Sequence, residues 1–103
     1  MIKVTITHTR PNTNITFSPN NPAVPAPVMD HIHQNYILPG KLVNFDRAIS
    51  ADGLVLTLTR IWADQAALDE FTSDQFVNEN STNPLNAYLE QNNIVVNRVE
   101  ETI

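Results

Sequence analysis

"RIWADQAALDEFTSDQF", residues 60–76, carries the chain's single tryptophan where one periodicity gives way to another. Upstream, Leu54, Leu56, Leu58, Arg60 and Trp62 share one parity, and Val55, Thr57, Thr59 and Ile61 share the other. A period of two marks a strand, because successive side chains leave a pleated backbone on opposite faces. Downstream, Ala67, Leu68 and Phe71 recur at helical spacing, and Asp64 stands where a carboxylate caps a first turn. Ser73 is placed to cap a further turn holding Phe76 and Val77. The stretch therefore reads as a strand-to-helix junction.

Working outward, "KLVNFDRAIS" (41–50) is a second strand joined to the first around Ala51-Asp52-Gly53. Asp-Gly between alternating apolar runs is a strong hairpin signal. Pro39-Gly40 stops a short helix over 28–38, which puts Val28, Met29, Ile32 and Tyr36 on one side. Residues 2–10 set Ile2, Val4, Ile6 and His8 against Lys3, Thr5, Thr7 and Thr9, and Arg10-Pro11 ends that strand. Between them, 11–27 form an Asn- and Pro-rich loop with Phe17 as its one aromatic. Loops of this length in compact domains are uncommon and often functional.

On the C-terminal side a polar loop precedes a helix started by Asn83 and Pro84, with Leu85, Tyr88 and Leu89 inward. "IVVNRVEETI" (94–103) is the last strand. The order β-α-β-β-α-β predicts an α+β ferredoxin-like domain over 1–103, with an antiparallel sheet and helices on one face. In the 41–50 strand, Leu42 and Ala48 lie opposite Val43, Phe45 and Ile49, so both faces are apolar. Two helices cover one side of a four-stranded sheet, and a second copy is the simplest cover for the other. The expectation is a homodimer.

Composition narrows the function classes. The chain has 103 residues, a net charge of −5 and only six Lys or Arg, with no basic stripe to neutralise phosphates, so nucleic acid is not an expected partner. No apolar run approaches the roughly 20 residues of a membrane span. "MIKVTITH" alternates like a strand and lacks a signal peptide's apolar stretch, which makes the cytoplasm the default expectation. The absence of cysteine rules out disulfides, thiol nucleophiles and Cys-ligated metal.

The run "LPGKLVNFDRAISADGLVLTLTRIWADQAALDEFTSDQF", residues 38–76, resembles the central segment of the antibiotic biosynthesis monooxygenase-like group of dimeric α+β barrels. The shared features are Pro-Gly before the second strand, a hairpin, a strand ending in Trp, a polar cap, Ala-Leu on the helix and an aromatic before a further turn. The resemblance implies a homodimer with facing sheets and a pocket in each subunit between sheet and helices. It also implies that any chemistry is oxidation of a small aromatic compound without a cofactor. Haem degradation, found in one branch of the group, calls for a strand Asn, a helical Trp and a His after that helix. Here Thr7 and His8, Phe71 and Asn80-Ser81 stand instead, which argues against it.

The residues themselves supply candidates and plainer readings beside them. Trp62 packs the sheet end or walls a pocket, because an indole contributes large burial in either case. Arg60, on the same face, pairs with Asp46 or holds a phenolate or carboxylate. His8 is either a hydrogen-bonded core histidine or a general base, with an ordinary pKa near 6.5. Tyr36, Phe71 and Phe17 are further walls, and His33 borders the pocket with Tyr36 while His31 is solvated. His31 and His33 are two residues apart and diverge on a helix, so no metal site is expected. Asp69, Glu70, Asp74 and Glu79 read as a solvated helix face. Two functions follow: a monooxygenase-like enzyme with His8 as base and Arg60 as anion clamp, or a non-catalytic homo-oligomeric assembly or interaction module, such as a minor structural component of a larger particle.

Overall fold

Threonines alternate with apolar residues along the first and third of four extended segments, and all four join one antiparallel sheet. In the computed structural model, which describes residues 1–103, the strands are β1 (Ile2–Thr9), β2 (Leu42–Ile49), β3 (Val55–Trp62) and β4 (Val95–Thr102). Their order is β2-β3-β1-β4, with β1 paired to both β3 and β4. Only β2 and β3 are joined by a hairpin. Gly53 takes φ +75° at its turn, where Asp52 Oδ1 accepts from Ser50 Oγ and from the Leu54 amide at 2.6 and 3.0 Å. The other two connections cross over through helices that lie on one face. This is the ferredoxin-like α+β arrangement.

Helix α1 (Ala26–Ile32) begins behind Pro25, where a missing amide hydrogen costs nothing, and continues as a π-helical turn over His33–Ile37. Gly40 at φ +78° ends it. The prolyl loop is therefore two residues shorter at its end than the sequence suggests. Helix α2 (Gln65–Thr72) starts as expected, with Asp64 Oδ1 accepting from the Ala67 amide at 2.8 Å.

The next cap differs from expectation. Ser73 finishes α2, its hydroxyl donating to the Asp69 carbonyl at 2.8 Å, and Asp74 caps α3 (Gln75–Val77) through the Val77 amide at 3.2 Å. Nor is there a polar loop beyond it. Asn78–Thr82 form a second π-helical turn that runs into α4 (Asn83–Gln91). The amides of Asn78 and Asn80 donate to the Thr72 and Phe76 carbonyls, so the side chains that suggested a loop satisfy a helix instead.

The core sits at one end of the covered face. Val4, Tyr36, Leu42, Trp62, Ala67 and Leu68 cluster there. Trp62 is 1% exposed, and its ring lies 4.8 Å from Phe71 and edge-on to Tyr36 at 6.0 Å. Such aromatic contacts add about 0.5–1.5 kcal/mol beyond the area they bury. Strand β2 corrects the simple alternation: a register shift between Leu42 and Asn44 brings Phe45, Arg47 and Ile49 to the side of Leu42. The opposite sheet face carries Thr5, Thr7, Thr57 and Thr59 among valines and is covered by no element of the chain; Val95 and Val99 are exposed on it.

Candidate functional site

Along the covered face the packed end gives way to a cleft of about 900 Å³ between sheet and helices. Its floor is the even-numbered face of β1 and β3, and parity alone decides which side chains enter. Ile6, Leu56 and Leu58 make the apolar part, while Phe45 and Phe71 stand at the sides and Trp62 at the inner end. Loop residues around Phe17 close the outer end. That loop is tied down by Arg10, whose guanidinium donates to the Gly53 and Ile15 carbonyls at 2.7 and 2.8 Å and lies 4.3 Å over the Phe17 ring. Tyr88 adds a hydroxyl bond to the Thr16 carbonyl at 2.9 Å.

His8 is 5% exposed on the cleft floor, and its Nδ1 has no hydrogen-bond partner in the protein. Burial, and then the positive charge of Arg60, hold its pKa below the ordinary 6.5, so the imidazole is neutral at neutral pH. Arg60 is half-buried, with its guanidinium carbon 5.6 Å from the centre of the Phe71 ring. It makes no ion pair; Asp46 lies opposite Thr59, on the other parity. Its pKa is lowered by burial first and by the charge of Arg98 second. The indole Nε1 of Trp62 likewise lacks a partner.

Five of the seven residues singled out in the sequence thus line one cleft: His8, Phe17, Arg60, Trp62 and Phe71. Two do not. His33 is exposed on the far side of α1, and Tyr36 is buried with its hydroxyl donating to Asp74 Oδ2 at 2.6 Å. Burial, and next that hydrogen bond, push the Tyr36 phenol far above its ordinary range. His31 is the engaged histidine, with Nε2 2.8 Å from Asp74 Oδ2 and its ring 4.8 Å from Phe76.

Asp74 is accordingly not a solvated acid. Burial acts to raise its pKa, yet bonds from Tyr36, His31 and the Val77 amide outweigh that and keep it below the usual carboxylate range. The lining residues missed in the sequence are Arg10, Arg47, Phe45 and Arg98. Arg98 was within reach of parity, since it shares its strand face with Val96; Arg47 and Phe45 were hidden by the register shift.

No protein-family model matches the chain, and no curated protein does. Solved structures do match. A protein assigned to the antibiotic biosynthesis monooxygenases from Deinococcus radiodurans superposes with a TM-score of 0.57 at 12% identity, over 100% of this chain and 92% of that one. A second antibiotic biosynthesis monooxygenase gives 0.59 at 14% identity, over 100% and 98%. A dimeric ferredoxin-like protein from an uncultured marine organism gives 0.55 at 9%, over 99% and 95%. The chain therefore has the fold of antibiotic biosynthesis monooxygenase-like and dimeric ferredoxin-like proteins. No helix is long and apolar enough to cross a membrane.

Proposed function

We propose that the chain is a monooxygenase-like protein that oxidises a small aromatic compound in the cleft between sheet and helices, without a cofactor. The observation that carries this reading is His8: a buried, neutral imidazole with an unpartnered Nδ1 on the floor of a cleft walled by Trp62 and Phe71. In the reaction, His8 takes the proton of a phenol and Arg60 holds the resulting phenolate. Dioxygen is the oxidant. One of its atoms forms a new carbonyl at a ring carbon, and the other leaves as water with the phenolic and ring hydrogens, giving a quinone.

Two copies pair through the uncovered sheet face, a reading supported by the fold shared with a dimeric ferredoxin-like protein. The test is oxygen uptake with phenols of two to four fused rings. Turnover is expected with the native protein and its loss with His8→Ala; undiminished turnover in the variant rules out the base. A second reading, a non-catalytic homo-oligomeric module, is favoured by Val95 and Val99 exposed on that face. Sedimentation as an assembly larger than a dimer, with no turnover, decides for it.

A further inference from the structure

The chain has four arginines, at positions 10, 47, 60 and 98, and all four line the same cleft. In a protein of net charge −5 that is a marked segregation of charge. The pairing register shows how it arises. Across the covered face, one row of side chains is Phe45, Arg60, Val4 and Glu100; the next is Arg47, Leu58, Ile6 and Arg98. Arg47 and Arg98 therefore stand on opposite edge strands, about 14 Å apart at a strand spacing of roughly 4.8 Å. Arg60 lies between them, one row along, and Leu58 and Ile6 form an apolar floor in the middle.

The four guanidinium groups are not equivalent. Arg10 is consumed by the Gly53 and Ile15 carbonyls, and Arg98 is paired with Glu100 at 2.7 Å. Arg47 is exposed at the rim, beside Asp46. Arg60 is the one drawn down among apolar side chains with neither a carboxylate nor a carbonyl to satisfy it. A cation partly withdrawn from water without a counter-charge is costly, and a neighbouring cation raises that cost. His8, on the same floor, is buried and has an unsatisfied nitrogen. Phenols reach such a site neutral, whereas a carboxylic acid with a pKa of about 4 arrives already charged. Its two oxygens also match the planar guanidinium fork.

We propose that the cleft selects an aromatic carboxylate, whose ring lies on Leu58 and Ile6, whose carboxylate is taken by Arg60, and which Arg47 attracts from the sheet edge. The inference rests on the preceding reading in one respect, that an aromatic ring occupies this cleft. It adds the acid group, which that reading does not require, and gives Arg60 to the carboxylate, leaving the phenol to His8.

Titration calorimetry with 2-naphthoate and its neutral isostere 2-naphthamide tests it. The carboxylate is expected to bind at least about tenfold tighter, as charge-assisted hydrogen bonds to a half-buried partner allow. Its affinity falls with added salt while that of the amide does not. Arg60→Gln removes the preference by weakening the carboxylate at least about tenfold more than the amide; Arg60→Lys keeps a reduced preference. Equal binding of the two compounds to the native protein, without salt dependence, overturns the carboxylate assignment and leaves the aromatic cleft standing. Equal loss of both in Arg60→Gln also overturns it. Binding of neither at millimolar concentration overturns the aromatic cleft as well.

Discussion

The two ends of the covered sheet face are built from the same strands, yet one is a core and the other a cleft. At the Trp62 end, β1 and β3 present Val4 and Trp62, α2 lays Ala67 and Leu68 on them, and Tyr36 fills the remaining gap from the π-helical turn. At the His8 end the same strands present Leu56, Leu58 and His8, and the cover is a prolyl loop held by Arg10 and Tyr88. The edge strands sharpen the contrast. Beyond Leu42 every residue of β2 is exposed, as is all of β4. Packing density, not sheet geometry, separates the half that holds the fold together from the half free to bind something.

Substitutions should divide along that line. The largest effect is expected for Trp62→Ala, a cost of about 3–5 kcal/mol in urea unfolding, whereas Phe45→Ala at the open end stays within about 0.5 kcal/mol. Similar losses at both positions would erase the distinction. Next, Asp74→Ala removes a helix cap and the acceptor for Tyr36 and His31, a loss of about 2 kcal/mol. Because the Asp74 carboxyl sits below its ordinary 3.8 in the fold, its contribution is present above pH 3.8 and is lost as pH falls through the folded value. Asp74→Asn should lack that part of the acid transition.

Arg10→Ala tests the open end's cover. It is expected to cost about 1 kcal/mol globally and to expose the 10–25 segment to limited proteolysis before the rest of the chain unfolds. His8 gives the smallest signal. Its folded pKa lies below 6.5, so the unfolded chain binds the proton first, and stability declines as pH is lowered from 6.5 towards the folded value. His8→Gln should flatten that slope, and an unchanged slope would place its origin elsewhere.

The closed end was legible in the sequence because its signals are local. Alternation into Trp62, the Asp64 cap and the Asp-Gly hairpin each lie within a few residues, and each constrains the backbone directly. The helical register put Tyr36 on the side of Val28 and Ile32, but it did not show that the ring would be buried with its hydroxyl on Asp74 instead of walling the cleft. The choice between His31 and His33 failed for a related reason: which histidine turns inward depends on where α3 packs, and no local pattern encodes that. The cleft was only half legible. Parity placed His8, Arg60 and Trp62 on one face, but the meeting of arginines from positions 10, 47, 60 and 98 is a product of strand order. In the sequence they are simply scattered.

The irregularity near Val43 has a bearing on how this chain tolerates changes of length. Two residues, Val43 and Asn44, stand there against one on β3, so the strand carries a spare residue between the buried Leu42 and the hairpin. Removing Val43 would iron the strand flat and leave every later side chain facing as it does now. Removing a residue nearer the hairpin, such as Ala48, would be absorbed by the same slack, but with Asp46 swung inward and Arg47 outward. A single codon lost on one side of Phe45 is thus silent, and on the other it reverses the sign of charge along a whole margin of the cleft.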